Sequence, residues 1–280
     1  MAIGHRQNKG VGWTNGVLAR YDLHLAFIYP PFFRLERSRM KFPSPQNPDD
    51  AEIDRVNPYR SLVETVSQHI VVNTAGRPTD DEVGGVRELL GQWQRVVCEL
   101  GSGSGRHLIT LAERDKDTLH IGMELRYKRA YRTIEKAMQR GLTNVFIFRA
   151  DARYVQMLFS AASLDAVYIN FPDPWDKRRW LKNRLIQSPF VAELGGLLRP
   201  GGSLSYKTDH ADYFASAVAI MRSEPSFLEQ RVTTDLLASP WGEESVPTEF
   251  ELLFRAKGLP IHYALFERRA ESSCADQKRI

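Results

Sequence analysis

The sequence predicts an α/β protein built on a mainly parallel, doubly wound sheet, and three observations carry that prediction. From about residue 94 onward, short apolar β-branched runs alternate with amphipathic segments of helix length. The stretches joining these runs are long enough for the right-handed crossovers that parallel strands need. Four consecutive runs also end at an acidic residue, and in such sheets ligands bind at the carboxyl ends of the strands.

Each element has its own signal. Residues 1–58 hold Gly, Asn and Pro breakers, and Pro43-Ser44-Pro45-Gln46-Asn47-Pro48 cannot form a regular element. They are expected to be a disordered or loosely docked extension. The apolar patch from Leu23 to Phe33 is interrupted by His24 and Pro30-Pro31 and lacks a processing site, which argues against a targeting segment. Residues 59–93 read as a helical lead-in, with Pro78-Thr79-Asp80-Asp81-Glu82 opening a helix through Val86 and Leu90. The main domain is expected over 94–270, followed by a polar tail at 271–280.

Within that domain, Val96 to Leu100 is the first strand, and His107 to Arg114 the helix after it. Leu119 to Met123 is the second strand, and Arg126 to Arg140 a helix stopped by Gly141. Its apolar stripe is predicted as Tyr127, Ala130, Tyr131, Ile134 and Met138, leaving Arg129, Arg132, Lys136 and Arg140 outward on a solvated face. Asn144 to Phe148 and Leu164 to Ile169 are the third and fourth strands. A helix over 186–198 ends at Arg199-Pro200-Gly201-Gly202, before a fifth strand from Ser203 to Tyr206 and a helix from His210 to Met221.

The loops after the strands form a coherent set. Glu99-Leu100-Gly101-Ser102-Gly103-Ser104-Gly105 has glycines at alternate positions, which let backbone approach a ligand closely. The dinucleotide spacing fails, because its last glycine position holds Arg106. The pattern suits a ligand without a pyrophosphate, such as S-adenosylmethionine (SAM). Glu124 follows the second strand, where a carboxylate would accept from ribose hydroxyls. Asp151 follows the third, placed for an adenine amino group, and Asp173 the fourth. Simpler structural roles exist for three of them: a turn cap for Glu99, a helix start for Glu124, an N-cap for Asp151.

Asp173 lies in Asn170-Phe171-Pro172-Asp173-Pro174-Trp175, followed by Lys177, Arg178, Arg179, Trp180, Lys182 and Arg184. Two prolines stiffen the exit from the strand. A carboxylate beside indoles and cations suits a nucleobase carried on a phosphate backbone. The whole chain of 280 residues has a net charge of only +4, but residues 126–184 hold 13 Lys/Arg against five Asp/Glu, a local basic face. Cys98 and Cys274 lack partners at metal-ligand spacing, so neither a zinc site nor a disulfide framework is expected. No apolar run approaches the roughly 18 residues that span a bilayer, and a cytoplasmic, non-membrane protein is expected.

With these residues in view, the chain resembles the bacterial tRNA (guanine-N7-)-methyltransferases of the TrmB type, a branch of the class I SAM-dependent methyltransferases. The resemblance covers roughly residues 95–268. It rests on Phe171-Pro172-Asp173-Pro174-Trp175-x-Lys177-x-Arg179, on Lys207-Thr208-Asp209, and on Thr248-x-Phe250-Glu251 before a helix and the apolar strand Ile261 to Phe266. It implies a Rossmann-like sheet of about seven strands with helices on both faces. It also implies methyl transfer from SAM to guanine N7 in tRNA, at position 46 of the variable loop.

By the same resemblance, Glu99, Gly101, Gly103, Gly105, Glu124, Asp151 and Asp173 are the cofactor-binding positions, with Asp173 also catalytic. Lys177, Asp209, Thr248, Glu249, Phe250 and Glu251 match substrate positions, and Arg179, Trp180, Leu181, Lys182, Asn183 and Arg184 the stretch that touches RNA. Trp180 stands where the family usually has His, and Asp176 puts an acid beside Lys177. Gly76-Arg77-Pro78-Thr79 matches part of the family's basic arm, but Asp80, Asp81 and Glu82 follow it. The expected partner is tRNA, with SAM as methyl donor, no metal, no identifiable partner protein, and a monomer or weak homodimer.

The chemistry fits these residues. Guanine N7 carries an in-plane lone pair and needs no deprotonation, so the absence of a nucleophile constellation is no obstacle. In-line positioning of two reactants supplies about 7–11 kcal/mol in favourable cases. A carboxylate near the base would stabilise the developing positive charge; Asp173 is assigned that role, with Asp209 or Glu251 as a second acceptor. A nicotinamide-dependent dehydrogenase leaves the Phe171–Trp175 segment without a role, and a noncatalytic RNA-binding module leaves the pocket acids without one. A methyltransferase acting on DNA adenine amino groups is a poor fit: Asn170-Phe171-Pro172 is faintly similar to that class's catalytic tetrapeptide, but this chain lacks its second proline and aromatic pattern.

Overall fold

The computed structural model describes residues 57–74 and 76–270. The expectations for residues 1–56, for the polar tail and for Cys274 lie outside the described residues.

Strand formation follows burial. β2 (Arg95–Leu100) and β3 (Thr118–Met123) are buried along almost their whole length, as central parallel strands require. Cys98 sits fully buried at the centre of β2, and that burial pushes its thiol pKa up. β4 (Val145–Phe148) shows the period of two: Val145 and Ile147 enter one core cluster, while Phe146 and Phe148 face the other. β5 (Leu164–Asn170) and β6 (Leu198–Thr208) complete the parallel core.

The eight strands run in the order β1-β4-β3-β2-β5-β6-β8-β7, with β1 (Ile70–Val72), β7 (Phe227–Thr233) and β8 (His262–Arg268) at or near the edges. β8 is antiparallel to both β6 and β7, and the other pairings are parallel. Chain order reverses between β2 and β5, so the topological switch point lies at Leu100 and Asn170.

Helices cover both faces. α2 (Asp80–Gly91), α5 (Val155–Leu158), α6 (Ser188–Leu197) and α7 (Ala211–Ser223) contribute to the larger cluster. α3 (Arg106–Arg114) and α4 (Tyr127–Gln139) build the smaller one, and α1 (Pro58–Glu64) packs against α4. Each large aliphatic side chain removed from water in these layers stabilises the fold by about 1.5–3 kcal/mol. Thr79 starts α2 with the predicted signal: its hydroxyl accepts the Glu82 N–H while Glu82 accepts the Thr79 N–H.

Three features differ from the sequence reading. The lead-in contains β1, too short to leave a pattern, and β7 buries only Phe227, so the sheet has eight strands rather than about seven. β6 begins at Leu198, not Ser203; Pro200 and Gly201 shift its register against β5 without ending the pairing. The buried stripe of α4 is Tyr127, Ala130, Thr133, Ile134 and Ala137, whereas Met138 is exposed. Small side chains face inward because α4 lies against the Gly-rich turn, where a Cβ on Gly105 would meet Thr133 at 2.4 Å. Its cations are paired rather than simply solvated: Arg132 with Glu135, Arg140 with Glu113, and Lys136 with Glu249.

Candidate active site at the carboxyl edge of the sheet

The turn between β2 and α3 takes its shape from glycine. Gly101 and Gly103 have φ of 78° and 59°, left-handed values that L side chains resist, and a Cβ on either would enter open space. The Gly101 and Ser102 N–H groups donate to the Met123 carbonyl at 2.8 and 3.0 Å. Glu124 then locks the turn: one oxygen accepts the Gly103 N–H at 3.0 Å and the other the Arg126 N–H at 2.8 Å. Burial raises the Glu124 pKa, and these N–H groups together with Arg129 and Arg126 oppose that rise. The surface left beside Gly101, Gly103 and Glu124 is a backbone cradle with a carboxylate at its rim, which fits SAM.

Glu99 and Asp151 are placed differently. Glu99 is buried beneath the turn, where Oε1 accepts from Asn170 Nδ2 at 2.8 Å and Oε2 lies 3.2 Å from His107 Nδ1. It therefore ties the two strands at the switch point together and to α3. Asp151 caps the short 3-10 turn Ala152–Tyr154 and pairs with Arg153 through both oxygens. The simpler N-cap role considered for it is thus present.

The acceptor side is built from the segment after β5. The Phe171 N–H donates to the Lys207 carbonyl at 2.8 Å, and Phe171 and Trp175 adopt φ of 51° and 49°. Asp173, between them, is exposed and has no hydrogen bond or ion pair among the described residues. Trp175 meets Trp180 edge-on, and Lys177 Nζ and the Arg179 guanidinium lie 4.8 and 4.9 Å from the Trp180 ring centre. Arg179, Leu181, Lys182 and Asn183 are exposed on a short 3-10 helix, Arg178–Asn183. Arg184 is not free for RNA: its Nε donates to the Pro174 carbonyl at 2.7 Å, Nη1 to Ser216 at 3.1 Å, and its plane covers Tyr213.

α8 (Glu249–Arg255) brings in the last motif. Thr248 is its N-cap and accepts the Glu251 N–H at 3.0 Å. Phe250 is exposed, with its ring centre 6.3 Å from that of Phe171. Glu251, expected to contact substrate, is instead fully buried: Lys207 Nζ approaches it at 3.0 Å and Arg255 closes on its other oxygen. A helix start facing the core leaves that carboxylate no path to a ligand. Burial lowers the Lys207 pKa, opposed by Glu251. Asp209 is half-buried just past the end of β6.

Sequence reasoning missed Asn170 and His107, the buried partners of Glu99, because neither lies in a spacing that marks a pairing. It also missed the reach of Lys136, whose Nζ donates to the Ser104 carbonyl at 2.7 Å and contacts Glu249 at 3.2 Å. That ammonium joins the Gly-rich turn to the start of α8. A cavity of about 190 Å³ lined by Tyr168, Trp241 and Tyr263 lies on the sheet face and holds none of the predicted site residues.

Residues 93–264 match the family model described as "Putative methyltransferase". A tRNA (guanine-N(7)-)-methyltransferase of Lactobacillus acidophilus is 33% identical over 196 residues, covering 69% of this chain and 89% of that protein. A bifunctional glycosyltransferase/methyltransferase of Fusobacterium nucleatum is 33% identical over 170 residues, 61% of this chain; the chain spans only 26% of that longer protein. Among solved structures, the antibiotic-resistance methyltransferase Kmr aligns with a TM-score of 0.51 at 19% identity, covering 72% of this chain and 99% of its own.

Proposed function

Because the chain belongs to the tRNA (guanine-N(7)-)-methyltransferase family, we propose that it transfers a methyl group to N7 of guanine in tRNA, at position 46 of the variable loop. Its sheet is that of a class I SAM-dependent methyltransferase. The observation that carries the reading is Asp173: an exposed carboxylate, held on a stiff segment next to the switch point, beside indoles and cations.

When bound, SAM would supply the methyl group that the guanine N7 lone pair takes up, leaving as the thioether, and no proton would need to move. The Gly101–Gly105 turn, Glu124 and Asp151 would hold SAM. Positive charge appears on the purine, where Asp173 stabilises it and accepts from the N1 and N2 edge. Asp209 is the second acceptor, since Glu251 is occupied by Lys207 and Arg255. Since N7 attacks without prior deprotonation, the reading includes no metal.

Lys177, Arg179 and Lys182 bind phosphate and orient the RNA, so affinity falls as salt rises. No helix among the described residues is long and apolar enough to cross a membrane, and the reading places the protein in the cytoplasm with tRNA as its partner and no second protein required. The test is transfer of labelled methyl from SAM to two unmodified transcripts that differ only in guanosine or adenosine at position 46. Label on the guanosine transcript alone, released by N7-specific strand scission, supports the reading. Label on both moves the target, and no label on either refutes it.

A further inference from the structure

Asp176 departs from the family pattern, and the structure gives it a partner. Its Oδ1 lies 2.7 Å from Nε2 of His210, the residue that follows the Lys207-Thr208-Asp209 motif. His210 is also the N-cap of α7, where its Nδ1 accepts the Tyr213 N–H at 3.1 Å. A neutral imidazole whose Nδ1 accepts must carry its proton on Nε2. The helix start therefore dictates the tautomer, and that tautomer points its one N–H at Asp176.

The loop needs such an anchor. Phe171 and Trp175 sit at positive φ without being glycine, and such strain persists only where neighbours hold it. Before the strained pair, the Phe171 N–H is fixed to β6; after Asp173, Arg184 holds the Pro174 carbonyl. Asp176 is the third point of attachment and the one immediately beyond Trp175. Asp173 thus lies within a span fastened at both ends.

We propose that His210 is a positioning residue: its hydrogen bond to Asp176 clamps the Phe171–Trp175 loop so that Asp173 faces the acceptor base. The inference rests on the assignment of Asp173 above. The variants are Asp176→Ala, Asp176→Asn and His210→Ser, the last retaining an N-cap oxygen for α7. Asp176→Ala and His210→Ser each lower kcat for methyl transfer about tenfold, while the KM for tRNA and the Kd for SAM stay within about twofold of the parent, well short of the tenfold kcat effect. Asp176→Asn, which keeps an acceptor, recovers most of the rate, and the double variant is no slower than either single.

Additive losses, an unchanged kcat, or a loss confined to the KM for tRNA overturns the proposal. A second readout needs no methyl transfer: tryptic cleavage after Lys177, Arg178 or Arg179 speeds up equally in both single variants and no further in the double. An inactive parent whose variants show this faster cleavage would refute the tRNA reading and leave the clamp standing. Unchanged cleavage, with an active parent, would refute the clamp alone.

Discussion

The two halves of the carboxyl edge handle their acids in opposite ways. On the β2–β4 half, Glu99, Glu124 and Asp151 already have partners, and Glu124 accepts two backbone N–H groups from the turns around it. On the β5–β6 half, Asp173 stands exposed on a strained loop fastened from outside. The difference teaches that in the first half the strand-end acids double as structure. The second half leaves Asp173 exposed and unpaired among the described residues, and assigns the structural work to Arg184, His210 and the Lys207–Glu251–Arg255 cluster.

Four experiments can break or sharpen this contrast. Asp173→Ala should lower methyl transfer by about 10²–10³-fold, as loss of a charge-stabilising group does, with melting temperature and tRNA binding retained. Near-normal turnover would erase the distinction between the halves.

The next effect is on stability and belongs to β3, toward its amino end rather than its carboxyl edge. Burial holds the His120 pKa at about 4, below the ordinary imidazole value. On acidification the unfolded chain takes up a proton near pH 6.5, whereas the folded chain waits until about pH 4. Stability should therefore fall as pH drops through this window, by about 3 kcal/mol in total, and level off beneath it. Urea midpoints measured against pH report this, and His120→Gln should flatten the slope.

A smaller change is expected for Glu124→Gln. It keeps the shape but loses charge-assisted acceptance from two N–H groups, which should weaken SAM binding roughly tenfold, as read by calorimetry. Turnover at saturating SAM should persist, in contrast to Asp173→Ala. Lys177→Ala and Arg179→Ala should each weaken tRNA binding only a few-fold at moderate salt and reduce the salt slope by about 1. Filter binding across a salt series checks this, and an unchanged slope would remove these cations from the phosphate path.

Legibility in the sequence followed burial and local signals. The central strands β2–β5 and helices α2, α3 and α4 announced themselves through apolar runs and caps such as Thr79 and Gly141, whereas the four-residue α5 did not. β1 and β7 did not, because a three-residue edge strand and one that buries only Phe227 owe their existence to neighbours already in place. For the same reason the positions of the strand-end acids could be read, but their partners could not. Nothing local says that Glu251 turns inward to Lys207, or that Lys136 reaches Ser104, since those contacts join residues 44 and 32 positions apart. Asp176 looked like a mere departure until the fold brought His210 beside it.

The placement of Cys98 makes this protein carry its own gauge of global opening. Its thiol is sealed in the middle of the central strand, and its raised pKa keeps it protonated at neutral pH. With Cys274 replaced by serine, the rate at which a thiol reagent labels the native protein would count only excursions that part β2 from its neighbours, and so would measure the free energy of the deepest unfolding event.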